Sequence, residues 1–120
     1  MKRDAYEMAL LLDFYGETLT EKQRTLSDFY YNQDLSLSEI AENEGTSRQS
    51  VHDTISRAET ALETLEKQLG CVARSREIAR IADEILTAAR DLPDGETARR
   101  IMTLARSLTT IDTEGAANGI

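Results

Sequence analysis

Residues 35–57 carry the pattern that most constrains this chain, two short amphipathic helices separated by a glycine turn. Ser36 is a good helix N-cap, and Glu39 stands three residues later, as a capping box requires. Gly45 suits the left-handed conformation in which many helices end, and Ser47 is placed to cap the second helix. These signals together predict a helix-turn-helix motif. Its apolar faces are Leu37, Ile40 and Ala41 in the first helix and Val51, Ile55 and Ala58 in the second.

Apolar residues also recur at helical spacing before and after this motif. A first helix is predicted over residues 5–15, and a second helix follows the capping box of Thr20 and Gln23. The second motif helix is predicted to continue as far as Leu69, because its apolar residues are spaced four, three, four, three and four apart, as in a heptad seam. The seam consists of Val51, Ile55, Ala58, Leu62, Leu65 and Leu69.

The C-terminal half predicts a helical hairpin. Gly70 is expected to end the long helix, after which residues 72–90 and residues 96–109 form two helices joined by a turn at Pro93 and Gly95. The expected packing target of this hairpin is the stripe from Leu62 to Leu69. The predicted organisation is a helix-turn-helix domain over residues 1–69, a hairpin over residues 70–111, and a disordered tail over residues 112–120.

Four short stretches of this sequence resemble a known family. They are LLDFYG at 11–16, LTEKQR at 19–24, LSLSEIAE at 35–42 and SRQ at 47–49, and they occur in this order in the small YlxM-like proteins. The genes of those proteins lie beside genes of the signal recognition particle. LTEKQR, LSLSEIAE and SRQSV also resemble the fourth region of bacterial sigma factors. The resemblance is specific over about residues 11–69.

The resemblance implies an all-α fold with a sigma-region-four-like helix-turn-helix domain, a long third motif helix and a C-terminal helical hairpin. A winged-helix-like arrangement belongs to the same expectation. The family brings no enzymatic activity, and it implies a role in the signal recognition particle pathway. At the second motif helix, family members often read SRQAVYDNIKR, whereas this chain has His52 for the tyrosine and Ser56 for the lysine. The second difference removes a positive charge and weakens a literal DNA-reading role.

The net charge of −8 is unevenly distributed along the chain. Residues 1–69 carry seven basic and fourteen acidic side chains, a net −7, whereas residues 70–120 carry seven basic and eight acidic side chains, a net −1. Proteins that bind nucleic acid alone usually present a basic surface, because phosphate contacts dominate their affinity. The acidic motif half therefore argues against stand-alone DNA binding.

The candidate binding residues lie on the exposed side of the second motif helix. In DNA-binding examples, the first residues of this helix reach the edges of bases. Arginine and glutamine make bidentate contacts with guanine and adenine, so Arg48 and Gln49 are the foremost candidates. The alternatives are a protein contact and a solvated surface, and Asp53 and Glu59 would repel a phosphate backbone. The full candidate set for nucleic-acid or partner binding is Arg48, Gln49, His52, Ser56 and Arg57.

Two other groups of residues allow both a functional and a structural interpretation. Tyr30 and Tyr31 would suit the stacking of RNA bases, but a tyrosine that fills the core with its hydroxyl at the surface is the favoured interpretation. Arg74, Arg76 and Arg80 would suit RNA phosphates or an acidic partner. Ion pairs with neighbouring acidic residues of the same helix are the favoured interpretation of this cluster.

No catalytic constellation, cofactor motif or metal-ligand cluster is evident in the sequence. His52 is the single histidine, and Cys71 is the single cysteine, so no internal disulfide is possible and a reducing cytoplasm is expected. The charged start MKRDAYEM does not read as a signal peptide, and no apolar run approaches the ~20 residues of a membrane span. An enzyme is therefore not expected.

The leading functional hypothesis is a non-enzymatic adaptor or regulator that binds the protein or RNA of the signal recognition particle. The alternative is a small transcriptional regulator that reads duplex DNA, which the acidic charge disfavours, and a third interpretation is a purely structural motif. A homodimer through the long helix and the hairpin is also expected. The hairpin exposes more apolar surface than one partner helix can bury, and its first helix is apolar over a wide arc, with Ile81, Ala82, Ile85 and Leu86.

Overall fold

The computed structural model describes residues 3–117, which form six α-helices, a short 3-10 helix and no strand. The all-α prediction is therefore confirmed. The winged-helix-like expectation is wrong over these residues, because a wing is a β-hairpin. The helices are α1 (Ala5–Tyr15), α2 (Glu21–Tyr31), α3 (Leu37–Glu44), α4 (Arg48–Leu69), α5 (Cys71–Ala89) and α6 (Glu96–Ala117), and the 3-10 helix spans Gly16–Thr18.

Local capping explains where these helices begin and end. Thr20 and Gln23 form a reciprocal capping box at α2, and Ser36 and Glu39 form a second one at α3. Gly45 ends α3 with φ at +65°, a conformation that costs glycine little and other residues more. These boundaries match the predicted ones, since each depends on residues only three or four positions apart.

The main core lies where α1, α2 and α3 pack against the first two-thirds of α4. Leu26, Ile40, Val51 and Leu62 are fully enclosed at its centre. The predicted inward faces of the motif helices are thereby confirmed. Tyr31 is buried, in line with the favoured interpretation of the tyrosine pair, and Phe14 is buried although the sequence did not place it in the core. The start of α5 reaches the same core through Cys71 and Val72.

The hairpin of α5 and α6 packs mainly on itself. It contacts the rest of the chain chiefly at α1, and the start of α5 also reaches the main core. The predicted packing of the hairpin along the α4 stripe is only partly correct. Leu62 is buried and Leu65 is partly buried, but Leu69 remains 52% exposed. The reason is that α5 turns away at Gly70, so α1 covers this part of α4 instead. The domain boundary at residue 69 remains a prediction.

A polar junction fixes the direction in which the hairpin leaves α4. Gly70 adopts φ +64° between the two helices and offers α5 no side-chain cap. Glu66 supplies the missing acceptor, because its carboxylate accepts hydrogen bonds from the amides of Val72 and Ala73, each at 3.0 Å. The Tyr15 hydroxyl donates to the same carboxylate at 2.6 Å and accepts from the Cys71 amide at 3.0 Å.

The last helix is longer than predicted. The sequence placed its end near Thr109, whereas α6 continues to Ala117. Residues 112–117, which were assigned to a disordered tail, are therefore helical. The physical reason is that nothing stops the helix after Thr109, since no proline follows and Gly115 is tolerated inside it. The rest of the predicted tail, residues 118–120, lies outside the described residues.

Candidate nucleic-acid interface

The first turns of α4 present the foremost candidate residues to solvent. Ser47 caps this helix by accepting a hydrogen bond from the Ser50 amide at 3.0 Å, which fixes the helix start. Arg48, Gln49 and His52 follow on one face and are all exposed. Helical spacing turns Gln49 away from the buried Val51, whereas Arg48 and His52 stand at the edge of the apolar face beside Ile55.

A shallow groove of about 430 Å³ brings these three candidates together. Its walls come from three helices of the N-terminal half, with Tyr30 from α2 and Leu37 from α3 facing α4. The sequence did not identify this groove, since its walls join positions up to 29 residues apart along the chain. The lining residues are Tyr30, Leu37, Arg48, Gln49, His52, Ile55 and Glu59.

Asp53 organises the polar side of this face. Its carboxylate accepts a hydrogen bond from the Gln49 amide at 2.9 Å and lies 3.3 Å from Nδ1 of His52. The contact with His52 and then the bond from Gln49 hold the pKa of Asp53 below its ordinary value, so the carboxylate is charged at neutral pH. A ligand that uses the Gln49 amide must therefore compete with, or accommodate, a fixed negative charge.

The other two candidates do not line the groove. Arg57 is exposed, about two and a half helical turns from the start of α4, and Ser56 is only partly exposed. The Ser56 carbonyl accepts a hydrogen bond from the Thr60 hydroxyl at 3.1 Å. The structure thus unites Arg48, Gln49 and His52 and leaves Ser56 and Arg57 farther along the same helix.

The helix that precedes the turn is acidic on its exposed side. Glu39, Glu42 and Glu44 are all exposed on α3, and this helix contains no basic residue. Glu39 also caps its own helix through the Ser36 amide at 3.0 Å. Because α3 lies directly beside the first turns of α4, any ligand of the groove also meets this negative surface.

The start of α4 is itself free of negative charge. Acidic residues occupy the first turns of α1, α2, α3 and α6, whereas α4 and α5 have none there. At α5 the Glu66 carboxylate takes that position. At α4 the turn carries Arg48 and Gln49, so the positive end of the helix dipole and a basic side chain coincide.

Glu59 is not the exposed, phosphate-repelling residue that the sequence suggested. It is 6% exposed, its carboxylate pairs with Arg3 at 2.7 Å, and it accepts a hydrogen bond from the Tyr31 hydroxyl. Burial is the largest cause that raises the pKa of Tyr31, and the hydrogen bond to Glu59 raises it further, so the tyrosine stays protonated. The core interpretation of Tyr31 is confirmed, but its hydroxyl is buried rather than at the surface, while Tyr30 lines the groove. The sequence signal for the burial of Glu59 was its position next to Ala58, a residue of the apolar seam.

The basic cluster on α5 is engaged within the chain. Arg76 pairs with Glu7 of α1 at 2.5 Å, and Arg80 pairs with Glu77 and Glu84 of its own helix. The predicted ion pairs are confirmed for Arg80, whereas Arg76 joins two helices.

Among residues 3–117, no group of three or more potential ligands is arranged to hold a metal ion. No helix in that part of the chain has the length and apolar character needed to cross a bilayer.

Comparison with known proteins places this arrangement in a family. The profile of the UPF0122 family, described as "Putative helix-turn-helix protein, YlxM / p13 like", matches residues 2–100. A UPF0122 protein of Symbiobacterium thermophilum is 46% identical over 105 residues, which cover 88% of this chain and 97% of that protein.

Two further relatives support the same conclusion. A UPF0122 protein of Thermoanaerobacter sp. is 49% identical over 85 residues, which cover 71% of this chain and 73% of that protein. A UPF0122 protein of Clostridium kluyveri is 52% identical over 71 residues, which cover 59% of this chain and 64% of that protein. The chain therefore belongs to the UPF0122 family of YlxM/p13-like helix-turn-helix proteins.

Proposed function

We propose that this protein is a non-enzymatic cytoplasmic adaptor or regulator of the signal recognition particle pathway. It binds the protein or RNA of the particle through the face formed by α3 and the first turns of α4. The resemblance to YlxM-like proteins, whose genes lie beside those of the particle, supports the pathway. The acidic side of α3 is the observation that supports an adaptor over a DNA reader.

The argument from α3 is electrostatic. When a helix-turn-helix docks on duplex DNA, the first motif helix crosses the phosphate backbone. Here that helix carries Glu39, Glu42 and Glu44 on its exposed side. Three carboxylates against phosphates oppose docking, whereas the same carboxylates favour encounter with a basic protein surface. The protein subunit of the particle has such a basic, RNA-binding surface.

Binding assays with purified components test this proposal. The protein is titrated with the particle's protein subunit, with its RNA and with the assembled particle, at low and at physiological salt. Association that weakens as salt rises is expected for at least one of them, because exposed charges are screened within about 10 Å at 0.1 M salt. The absence of any such association would refute the proposal.

A charge reversal separates the adaptor from the DNA reader, because the two predict effects of opposite sign. Glu42→Lys with Glu44→Lys should weaken binding to the basic protein subunit by about tenfold, as two rim charges become repulsive. The same double variant should strengthen binding to any duplex DNA. Asp83→Lys with Asp91→Lys is the matched control, since it changes the charge equally on the exposed surface of the hairpin region.

A transcriptional regulator is the second candidate function. It is favoured by the exposed Arg48 and Gln49 on an acid-free first turn. Selection from random duplexes tests it, and a reproducible sequence lost in Arg48→Ala with Gln49→Ala would support it. The matched control is Gln68→Ala with Arg90→Ala, which removes the same side-chain types from exposed positions far from the groove.

A pull-down from lysate with and without nuclease distinguishes direct protein partners from partners bridged by nucleic acid. Retention of the particle's protein subunit after nuclease treatment supports direct protein contact. Loss of every partner after nuclease treatment, together with unchanged binding in the Glu42→Lys, Glu44→Lys variant, would contradict the electrostatic argument. A purely structural motif predicts that none of these substitutions changes any binding.

A further inference from the structure

The two helices of the hairpin meet through alanines. The residues of this pair that are fully enclosed between α5 and α6 are Ala82, Ala89, Ala98 and Ala105, at 2–5% exposure. An alanine side chain buries little apolar area, so this contact is close but gains little from the hydrophobic effect. The hairpin therefore has a thin internal interface compared with the core around α4.

The large apolar side chains of the hairpin lie outside that interface. Leu104, Leu108 and Ile111 are 58%, 46% and 67% exposed along α6, and Ile81 is 43% exposed on α5. Leu104, Leu108 and Ile111, together with the partly buried Ile85, border an apolar groove of about 360 Å³. No element within residues 3–117 covers this face. A contiguous exposed apolar surface of this kind marks an interaction site.

The overall dimensions agree with an uncovered hairpin. The radius of gyration is 18.7 Å and the longest dimension is 62 Å. A compact domain of this length has a radius of gyration of roughly 14 Å. The hairpin thus extends from the N-terminal body, which it contacts chiefly at α1.

The apolar seam on α6 is self-complementary. Ile101, Leu104, Leu108 and Ile111 are spaced three, four and three apart, a pattern that reads the same in both directions. An antiparallel pairing of two α6 helices therefore brings matching apolar positions together, as a two-fold interface requires.

The size of the face also suits a second copy. Two adjacent helices of about 19 residues, at about 1.5 Å per residue and 8–10 Å apart, present a face on the order of 600 Å². A specific, stable interface buries roughly 600–1,000 Å² on each partner, so this face reaches the lower end of that range. We propose that this face of the hairpin binds a second copy of the chain, with the two α6 helices antiparallel, to form a four-helix arrangement.

Sedimentation at low micromolar concentration tests this proposal. The wild-type chain should sediment as a dimer. Leu104→Glu with Leu108→Glu should weaken the dimer by at least about a hundredfold, because each substitution removes one buried leucine from the seam. Both side chains are exposed in the single chain, so the variant should keep its helical circular dichroism and sediment as a monomer.

Leu69→Glu is the matched control, since Leu69 is similarly exposed but lies at the end of α4. It should leave the dimer intact. A monomeric wild type would overturn the proposal and assign the hairpin face to a different protein. Loss of the dimer in Leu69→Glu but not in the α6 variant would overturn it as well, in favour of the α4 stripe.

Cross-linking gives an independent measurement of orientation. Ser107 lies near the centre of the seam, so Ser107→Cys should form a disulfide between two copies under mild oxidation. Ile101 lies at one end, where an antiparallel partner is roughly 15 Å from its own copy, so Ile101→Cys should not. The native Cys71 is buried and does not compete. Efficient cross-linking of Ile101→Cys would overturn the antiparallel pairing.

Discussion

Replacing Tyr15 with phenylalanine removes a single hydroxyl from the junction between α4 and α5. That hydroxyl donates to Glu66 at 2.6 Å and accepts from the Cys71 amide at 3.0 Å, and Tyr15 is only 3% exposed. The substitution leaves a buried amide without its acceptor and removes one hydrogen bond to a charged group. Each of these losses costs about 1–3 kcal/mol.

We expect Tyr15→Phe to lower the free energy of unfolding by about 2–3 kcal/mol, because the two losses share one hydroxyl and do not add fully. For a chain of this length that corresponds to a fall in Tm of roughly 10 °C. Urea denaturation followed by circular dichroism measures the free energy. Amide hydrogen exchange at Cys71 should accelerate at the same time, since its acceptor is lost. Exchange at Val72 and Ala73 should also accelerate, since Tyr15 no longer holds their acceptor Glu66 in place.

Tyr6→Phe is the control, because Tyr6 is 70% exposed and its ring can still lie over Arg76. It should change stability by less than about 0.5 kcal/mol. If Tyr15→Phe were as mild as Tyr6→Phe, the junction would contribute no net stability. The reasoning would also be refuted if stability fell while exchange at the start of α5 stayed unchanged.

Glu66→Gln should cost about 1–2 kcal/mol at neutral pH. Burial alone raises the pKa of Glu66, but hydrogen bonds from Tyr15 and two amides outweigh it and hold the pKa below 4.5. The stabilisation is therefore present above pH 4.5 and is lost as pH falls through the folded-state pKa. Urea titrations should show the stabilities of wild type and Glu66→Gln converging as pH falls through that folded-state pKa. A difference that stays constant with pH would contradict this. Gly45→Ala should cost about 1 kcal/mol in thermal melts, because φ is +65° there, whereas Gly95→Ala should not. Ala105→Leu should cost about 1–3 kcal/mol by overpacking the hairpin, whereas the exposed Ala88→Leu should leave urea denaturation unchanged.

The parts of the fold that local sequence determines were predictable. The capping boxes at Thr20 and Ser36, the left-handed Gly45 and the helix end at Gly70 are confirmed. Each depends on side chains within four residues of the helix end, where the chemistry of a cap is decided. The helix-turn-helix and its inward faces followed from the same signals.

Features that depend on distant partners were not predictable in the same way. The hydroxyl of a core tyrosine was expected at the surface, yet that of Tyr31 is buried and donates to Glu59, 28 residues later. The carboxylate of Glu59 was taken as exposed, yet Arg3 pairs with it from 56 residues away. Periodicity identifies which face of a helix is apolar, but it does not identify which helix will cover that face.

In the candidate site, too, some features follow from local sequence and others depend on distant contacts. The exposure of Arg48, Gln49 and His52 followed from helical spacing and from the position of the motif. Their grouping with Tyr30 in one groove depends on the angle between α2 and α4, which no single segment determines. The acidic character of α3 was present in the sequence, but its position beside the groove became clear only from the fold.

The bonds of Tyr15 have a consequence for how the chain is made in the cell. Its partners Glu66 and Cys71 lie 51 and 56 residues later, so α1 is synthesised long before the groups that anchor it. At about 5–20 residues per second, a ribosome needs roughly 3–11 s to add those residues. Helices form in about a microsecond, so during this interval α1 is already helical but the Tyr15 hydroxyl lacks the two groups that anchor it. Anchoring of the N-terminal helix to the α4–α5 junction is thus timed by translation of the middle of the message, and slow translation there would prolong the interval in which Tyr15 is unanchored.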